Sequence, residues 1–191
     1  MANTDRVNGA RPVRYLNGAP WNGKVNRYYL PSTDGTACFV GDFVKSAGSA
    51  DADGVQTVAQ AAAGDALLGV IVGFEPNPDN LSLLYRVAST ARYVLVCDDP
   101  DVIFEIQEDS VGGAMTAGET GNNGDITVAA GSTSTGSSGM ELDSSNVIAT
   151  TTGAAQLRVI RLSNRADNEI GTWAKWEVLI NEHEHKSTTG T

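Results

Sequence analysis

Cysteine is nearly absent from this chain of 191 residues: only Cys38 and Cys97 occur. A pair so widely spaced builds neither a disulfide framework nor a zinc knuckle. Each lies inside an apolar run, so both read as small buried hydrophobes. No apolar run reaches the roughly 18 residues of a membrane-spanning helix. The opening MANTDRVNGARPVRY lacks the apolar centre of a secretory signal. Charged residues are also few, 19% against roughly 25% on average. Catalytic signatures are missing too. There is no GxSxG elbow, no GxxxxGKS/T phosphate loop, and no GxGxxG that follows a strand and opens a helix.

Histidine is confined to His183 and His185. On a strand the two share a face, but a metal site needs further ligands, and the pair reads as polar residues of an exposed terminal strand. The acids of Asp98-Asp99-Pro100-Asp101 lack the spacing, the glycine and the terminal bidentate Glu of a calcium loop. Glu105 and Glu108 raise the paired carboxylates of a glycosidase. Glu105 is opposite in phase to Val102, Phe104 and Ile106, however, which is ordinary for a half-exposed sheet. No enzyme, metal or cofactor is expected.

What the chain does have is a 41% share of hydrophobic residues, enough for a sizeable core, and 21 glycines. It also has an uneven charge. Residues 1–30 carry Arg6, Arg11, Arg14, Lys24 and Arg27 against the single acid Asp5, or +4, while the remainder carries 8 bases and 22 acids, or −14. This pattern predicts a basic arm on an acidic body. An acidic body argues against nucleic acid as the main partner, because phosphate binding needs a cationic surface. Aromatics are interleaved with the arginines, and that mixture is enriched at protein interfaces. The candidate interface residues are therefore Arg11, Arg14, Tyr15, Trp21, Arg27, Tyr28 and Tyr29. Truncating the arm is expected to leave the body folded.

From residue 36 onward strand signals dominate. Expected strands are 36–45, 66–74, 83–88, 92–97, 102–107, 126–128, 140–142, 157–162 and 173–180, with 56–63 either helix or strand. Residues 46–54 and 75–80 read as loops. Residues 110–153 shift to Gly, Ser, Thr, Asn and Ala. About ten short strands with almost no helical periodicity predict an all-β, jelly-roll-like sandwich or barrel with an extended N-terminal arm. The expected division is an arm over 1–35 and a β body over 36–191, with a Gly/Ser/Thr-rich loop region near 110–153. Long loops with no disulfide to hold them point to an assembly, with a homotrimer favoured over a homodimer.

Four segments resemble the capsid cement, or decoration, proteins of tailed phages. They are FVGDFVK at 39–45, RYVLVCDDPDVIFEIQED at 92–109, GNNGDITVAAGSTSTGSSGMELDSS at 121–145, and LRVIRLSNRADNEIGTWAKWEVLINEHEH at 157–185. The resemblance implies a structural virion protein on the outer surface of an icosahedral head, clamping neighbouring major capsid proteins. It also implies a jelly-roll or related β module acting as a dimer or trimer. It implies no enzyme, no cofactor and no transferable site residues. The alternative is a glycan- or receptor-binding β module of a head or tail fibre. An aromatic sugar platform would need several exposed rings on one face, and Trp173 and Trp176 fall on opposite faces of one strand.

Overall fold

Alternation of apolar side chains sets the frame. Val102, Phe104 and Ile106 point to one side of their strand, and Trp176, Val178 and Ile180 do the same on its neighbour; all are buried. The computed structural model describes residues 3–149 and 155–187. Its strands in chain order are β1 (Arg11–Tyr15), β2 (Asn26–Leu30), β3 (Phe43–Ala50), β4 (Gln56–Gln60), β5 (Gly69–Phe74) and β6 (Arg92–Cys97). They continue with β7 (Val102–Gln107), β8 (Asn123–Gly124), β9 (Ile126–Thr127), β10 (Glu141–Leu142), β11 (Leu157–Leu162) and β12 (Lys175–Ile180). Among the described residues one α-helix, α1 (Ser144–Ala149), lies between β10 and β11. The chain is all-β in class, as its composition predicts.

Two units share the strands. An antiparallel sheet runs β1-β7-β12-β11-β8, and β2-β4-β3-β5-β6 close into a barrel. The barrel strands alternate between two environments. Val44, Ile71, Val94 and Val96 fill the barrel with Tyr28, Leu30, Cys38, Val58 and Leu68. Phe43, Val70 and Cys97 point the other way and join Val102, Phe104, Trp176 and Val178 in a second, larger core. Phe43 and Phe104 meet edge to face with ring centroids 6.1 Å apart. A strand buried on both faces explains why 66–74 is continuously apolar. Burial also pushes the thiols of Cys38 and Cys97 up to about 12, so both are inert.

The N-terminal stretch is extended, but it does not project. β1 pairs with β7, and β2 pairs with β6 along Asn26↔Val96 to Leu30↔Arg92. The expected boundary at residue 35 therefore cuts through both units. The physical reason is that β2 is needed to close the barrel and β1 covers an open edge of β7. The crossing at Gly9 is close. A Cβ there would lie 2.4 Å from the Gly41 carbonyl oxygen, and both glycines have positive φ, so only glycine fits.

Other expectations shift. Much of the segment expected as a loop at 46–54 is the first arm of the β3–β4 hairpin, and residues 56–60 resolve as strand. Residues 83–88 form no strand; only Cys38 bridges Arg86 there. The Gly/Ser/Thr-rich region contains the small β9–β10 pair, Ile126 opposite Leu142. Helix α1 is tied down by Ser144 and Asn146, bonded to Asp109 and Asp143, and by Val147 in the core. Residues 150–153 of that region lie outside the described residues.

Candidate docking surface

The pleat that turns Phe104 and Val178 inward turns Glu105 and Glu177 outward, and register places the two carboxylates directly opposite each other. Their row continues across four strands, from Arg11 opposite Glu105 to Arg161 opposite Glu177. Bulges after Pro12 and after Val159 swing Arg14 and Arg161 onto this face. Glu177 accepts from Arg14 at 2.7 and 2.9 Å and from Arg161 at 2.9 and 3.0 Å. Glu105 accepts from Ser163 and, at 3.0 Å, from Arg165. Both residues are nearly covered, at 7% and 6% exposed. Glu105 thus faces away from the core as its phase predicts, but under a cover of long cationic side chains rather than in open water. Burial pushes the Glu177 carboxyl upward; the bonds from Arg161 and Arg14 outweigh it and hold the group below the usual carboxylate range.

Arg6, Arg11, Arg14, Arg158, Arg161, Arg165 and Lys175 gather on or beside this face, seven of the chain's 13 cations. The acids among them are Asp5, Glu105, Glu141, Asp167 and Glu177. Cations outnumber acids here in a molecule whose net charge is −10. Arg11 and Arg158 are exposed and make no ion pair among the described residues, so their charge is open to a partner. Three of the seven come from the N-terminal stretch whose charge stood out in the sequence. Reading that segment alone misses the other four. The alternation of LRVIRL, which leaves its first arginine out of phase with the core, carries a signal for Arg158.

The remaining candidates disperse. Tyr15 and Trp21 pack against the larger core from a hairpin whose tip exposes Leu16. The Tyr15 hydroxyl donates to Asn22 at 2.9 Å. The hairpin borders an open depression of about 700 Å³ that Asp99 and Asp101 close on the other side. Arg27 and Tyr29 sit on the barrel: the Arg27 guanidinium lies 3.4 Å above the Tyr93 ring, and the Tyr29 and Tyr93 rings are 5.2 Å apart. Tyr28 is not an interface residue. It points into the barrel and donates its hydroxyl to Asp98 at 2.5 Å, because β2 alternates inward at that position.

A second exposed surface comes from the loop joining β5 to β6. Arg86 is fully buried and donates to the carbonyls of Pro31, Asp34, Thr36 and Thr90. Arg92 donates to those of Glu75, Leu83 and Tyr85. Two planar guanidiniums therefore hold a long loop in one shape. Its tip presents Leu81 at 78% and Leu84 at 53% exposure. A pre-ordered loop with apolar side chains at its tip docks without an ordering cost.

The C-terminal tail closes the seam between barrel and sheet. Leu67 and His183 form a parallel bridge, and Glu184 accepts from the Ser46 amide at 2.8 Å. His183 is 3% exposed, which corrects its reading as an exposed tail residue, whereas His185 is exposed as expected. Its Nδ1 accepts from the His185 amide while its Nε2 is buried with no partner. No group of side chains among the described residues is arranged to hold a metal ion. No helix among them is long and apolar enough to cross a membrane.

Compared with known families, curated proteins and solved structures, the chain matches none.

Proposed function

We propose that this protein is a non-enzymatic, structural virion protein that decorates the outer surface of an icosahedral phage head and clamps neighbouring major capsid proteins. The observation that carries the reading is the cationic outer face of the β1-β7-β12-β11-β8 sheet on an otherwise acidic molecule. Such a face steers the protein onto an acidic patch of a shell and sets its register there. The rigid Leu81/Leu84 loop on the barrel is a separate contact element, so one copy engages two capsid subunits, and many copies add weak contacts into high avidity. The four segments that resemble cement proteins lie in both units and support the same role.

A basic face on an acidic molecule also complements a second copy. Contacts between unlike faces are head-to-tail and form a ring when the rotation closes, the arrangement that favours a homotrimer over a homodimer. The test is cosedimentation with empty heads, combined with heating of filled heads with and without the protein. Binding with delayed DNA release supports the clamp. Heads that release DNA at the same temperature with and without bound protein contradict it.

A further inference from the structure

Trp173 stands where a bulky residue is out of place. It has φ +59° in the turn leading into β12, a left-handed conformation that glycine or asparagine adopts easily and a large side chain does not. The turn is held by the Trp173 amide, which donates to the Ser110 hydroxyl at 2.7 Å, and Ser110 itself has φ +56°. Two non-glycine residues in the left-handed region thus lock each other. Trp176, three residues on, supplies the core, whereas Trp173 belongs to neither core and is 39% exposed. The strained turn holds the indole out at the surface. Strain of this kind concentrates at functional sites.

Trp173 forms one wall of a depression of about 170 Å³ whose other walls include Thr4, Arg6, Asp167, Asn168 and Lys175. The amides there are spent on the walls. Asn168 accepts from the Lys175 amide and donates to the Ser163 and Lys175 carbonyls, and Asn3 donates to the Glu169 and Thr172 carbonyls. Asp167 is held in place by two bonds of 3.0 Å from Arg165. The Arg6 guanidinium and the Lys175 ammonium, in contrast, make no hydrogen bond or ion pair among the described residues. The site thus combines one flat aromatic wall, two unspent cations, and a fixed carboxylate with lone pairs to spare.

We propose that this depression binds an acidic sugar residue, with the C–H face of the pyranose on Trp173 and its carboxylate between Arg6 and Lys175. Asp167 and Thr4 take the ring hydroxyls. The volume lies below the roughly 300–1,000 Å³ of a drug-sized pocket and suits one sugar ring. The mostly polar lining favours a sugar over the apolar anchor of a protein partner. Arg6 and Lys175 lie at the margin of the cationic sheet face, but sugar binding is read on the free chain without capsid, so its failure and that of the decoration role are distinguishable.

The test uses the full chain and free monosaccharides. Glucuronic acid, N-acetylneuraminic acid, glucose and a short acidic peptide are titrated into the millimolar range, read by the NMR shifts of the Trp173 indole N–H and, in every variant, of the Lys175 and Asn168 backbone amides. The expected result is saturable binding of at least one acidic sugar, about ten-fold tighter than glucose, with no matching response to the peptide. Trp173→Gly should abolish binding while leaving Tm unchanged or raising it by a few degrees, since glycine relieves the left-handed turn. Arg6→Gln, at an exposed side chain, should weaken acidic-sugar binding several-fold and leave glucose unaffected. Equal binding of glucose, preferential binding of the peptide, or unchanged binding in Arg6→Gln would each overturn the proposal. If Trp173→Gly destabilises the fold, the Arg6→Gln result decides.

Discussion

Glu105 and Glu177 face each other across β7 and β12, each capped by arginine from a different part of the chain. Opposed like charges destabilise a sheet. Here Arg14, Arg161 and Arg165 convert the pair into the centre of a cationic face. The same contacts stitch the N-terminal β1 to the C-terminal β11 through one carboxylate.

That relationship predicts the effect of Glu177→Gln. The change removes the charge that two guanidiniums share and should lower stability by about 2 kcal/mol. The Glu177 carboxyl is held below its ordinary range, so its contribution is complete above the unfolded-state pKa and is lost as pH falls through the folded one. Urea denaturation at pH 7 and pH 3 checks this: the gap between wild type and variant should narrow at the lower pH.

His183 gives a second pH dependence in a different window. Burial, followed by the nearby His185 and Lys186, pushes its imidazole down from 6.5 to about 4. Between those values the unfolded chain takes up a proton that the folded chain refuses, so stability falls with pH, by about 3 kcal/mol at the lower end. His183→Asn keeps an acceptor for the His185 amide and removes the titration. Its stability should change less between pH 7 and pH 4.5 than that of the wild type, and an identical slope would contradict the assignment.

Deleting residues 1–30 should abolish folding rather than trim an arm. The deletion removes β1 from the edge of β7 and β2 from the barrel wall, taking Tyr28 and Leu30 out of the barrel core. Two buried side chains of that size contribute roughly 1.5–3 kcal/mol each, before the lost strand pairing. Far-ultraviolet circular dichroism and size exclusion of the truncated chain check it. A folded, monodisperse product would restore the arm.

The parts of the fold that were legible are those where the pleat alone decides. RYVLVC, VIFEIQ and LRVIRL became strands with the expected bounds, 92–97, 102–107 and 157–162, because one face of each meets a core. LLYRVA has the same look but forms no strand: its backbone pairs only at Arg86, in a single bridge to Cys38, while the buried Arg86 guanidinium organises the surrounding loop carbonyls. Helix α1 has weak helical propensity; Asp143 caps it locally by accepting from the Asn146 amide, but the bond from Ser144 to Asp109 that anchors it comes from a distant part of the chain, which no local pattern announces. The charge of the first 30 residues pointed correctly to Arg11 and Arg14 as surface cations. It said nothing about pairing, so the strands that bury Tyr28 were not visible in it. The partners Glu105, Glu177 and Arg161 are brought to Arg14 only by a sheet order that sequence does not display.

The central claim, docking through the cationic sheet face, is tested most directly by the association rate with empty heads across a salt series. Arg11→Gln with Arg158→Gln removes two exposed charges that hold no ion pair, and places no acid opposite Glu105, so the fold should be unaffected. Wild-type association should slow as salt rises. The double variant should bind about ten-fold more slowly at low salt, and the two rates should converge at high salt as the charges are screened. Equal rates at low salt, or a wild-type rate indifferent to salt, would contradict the account.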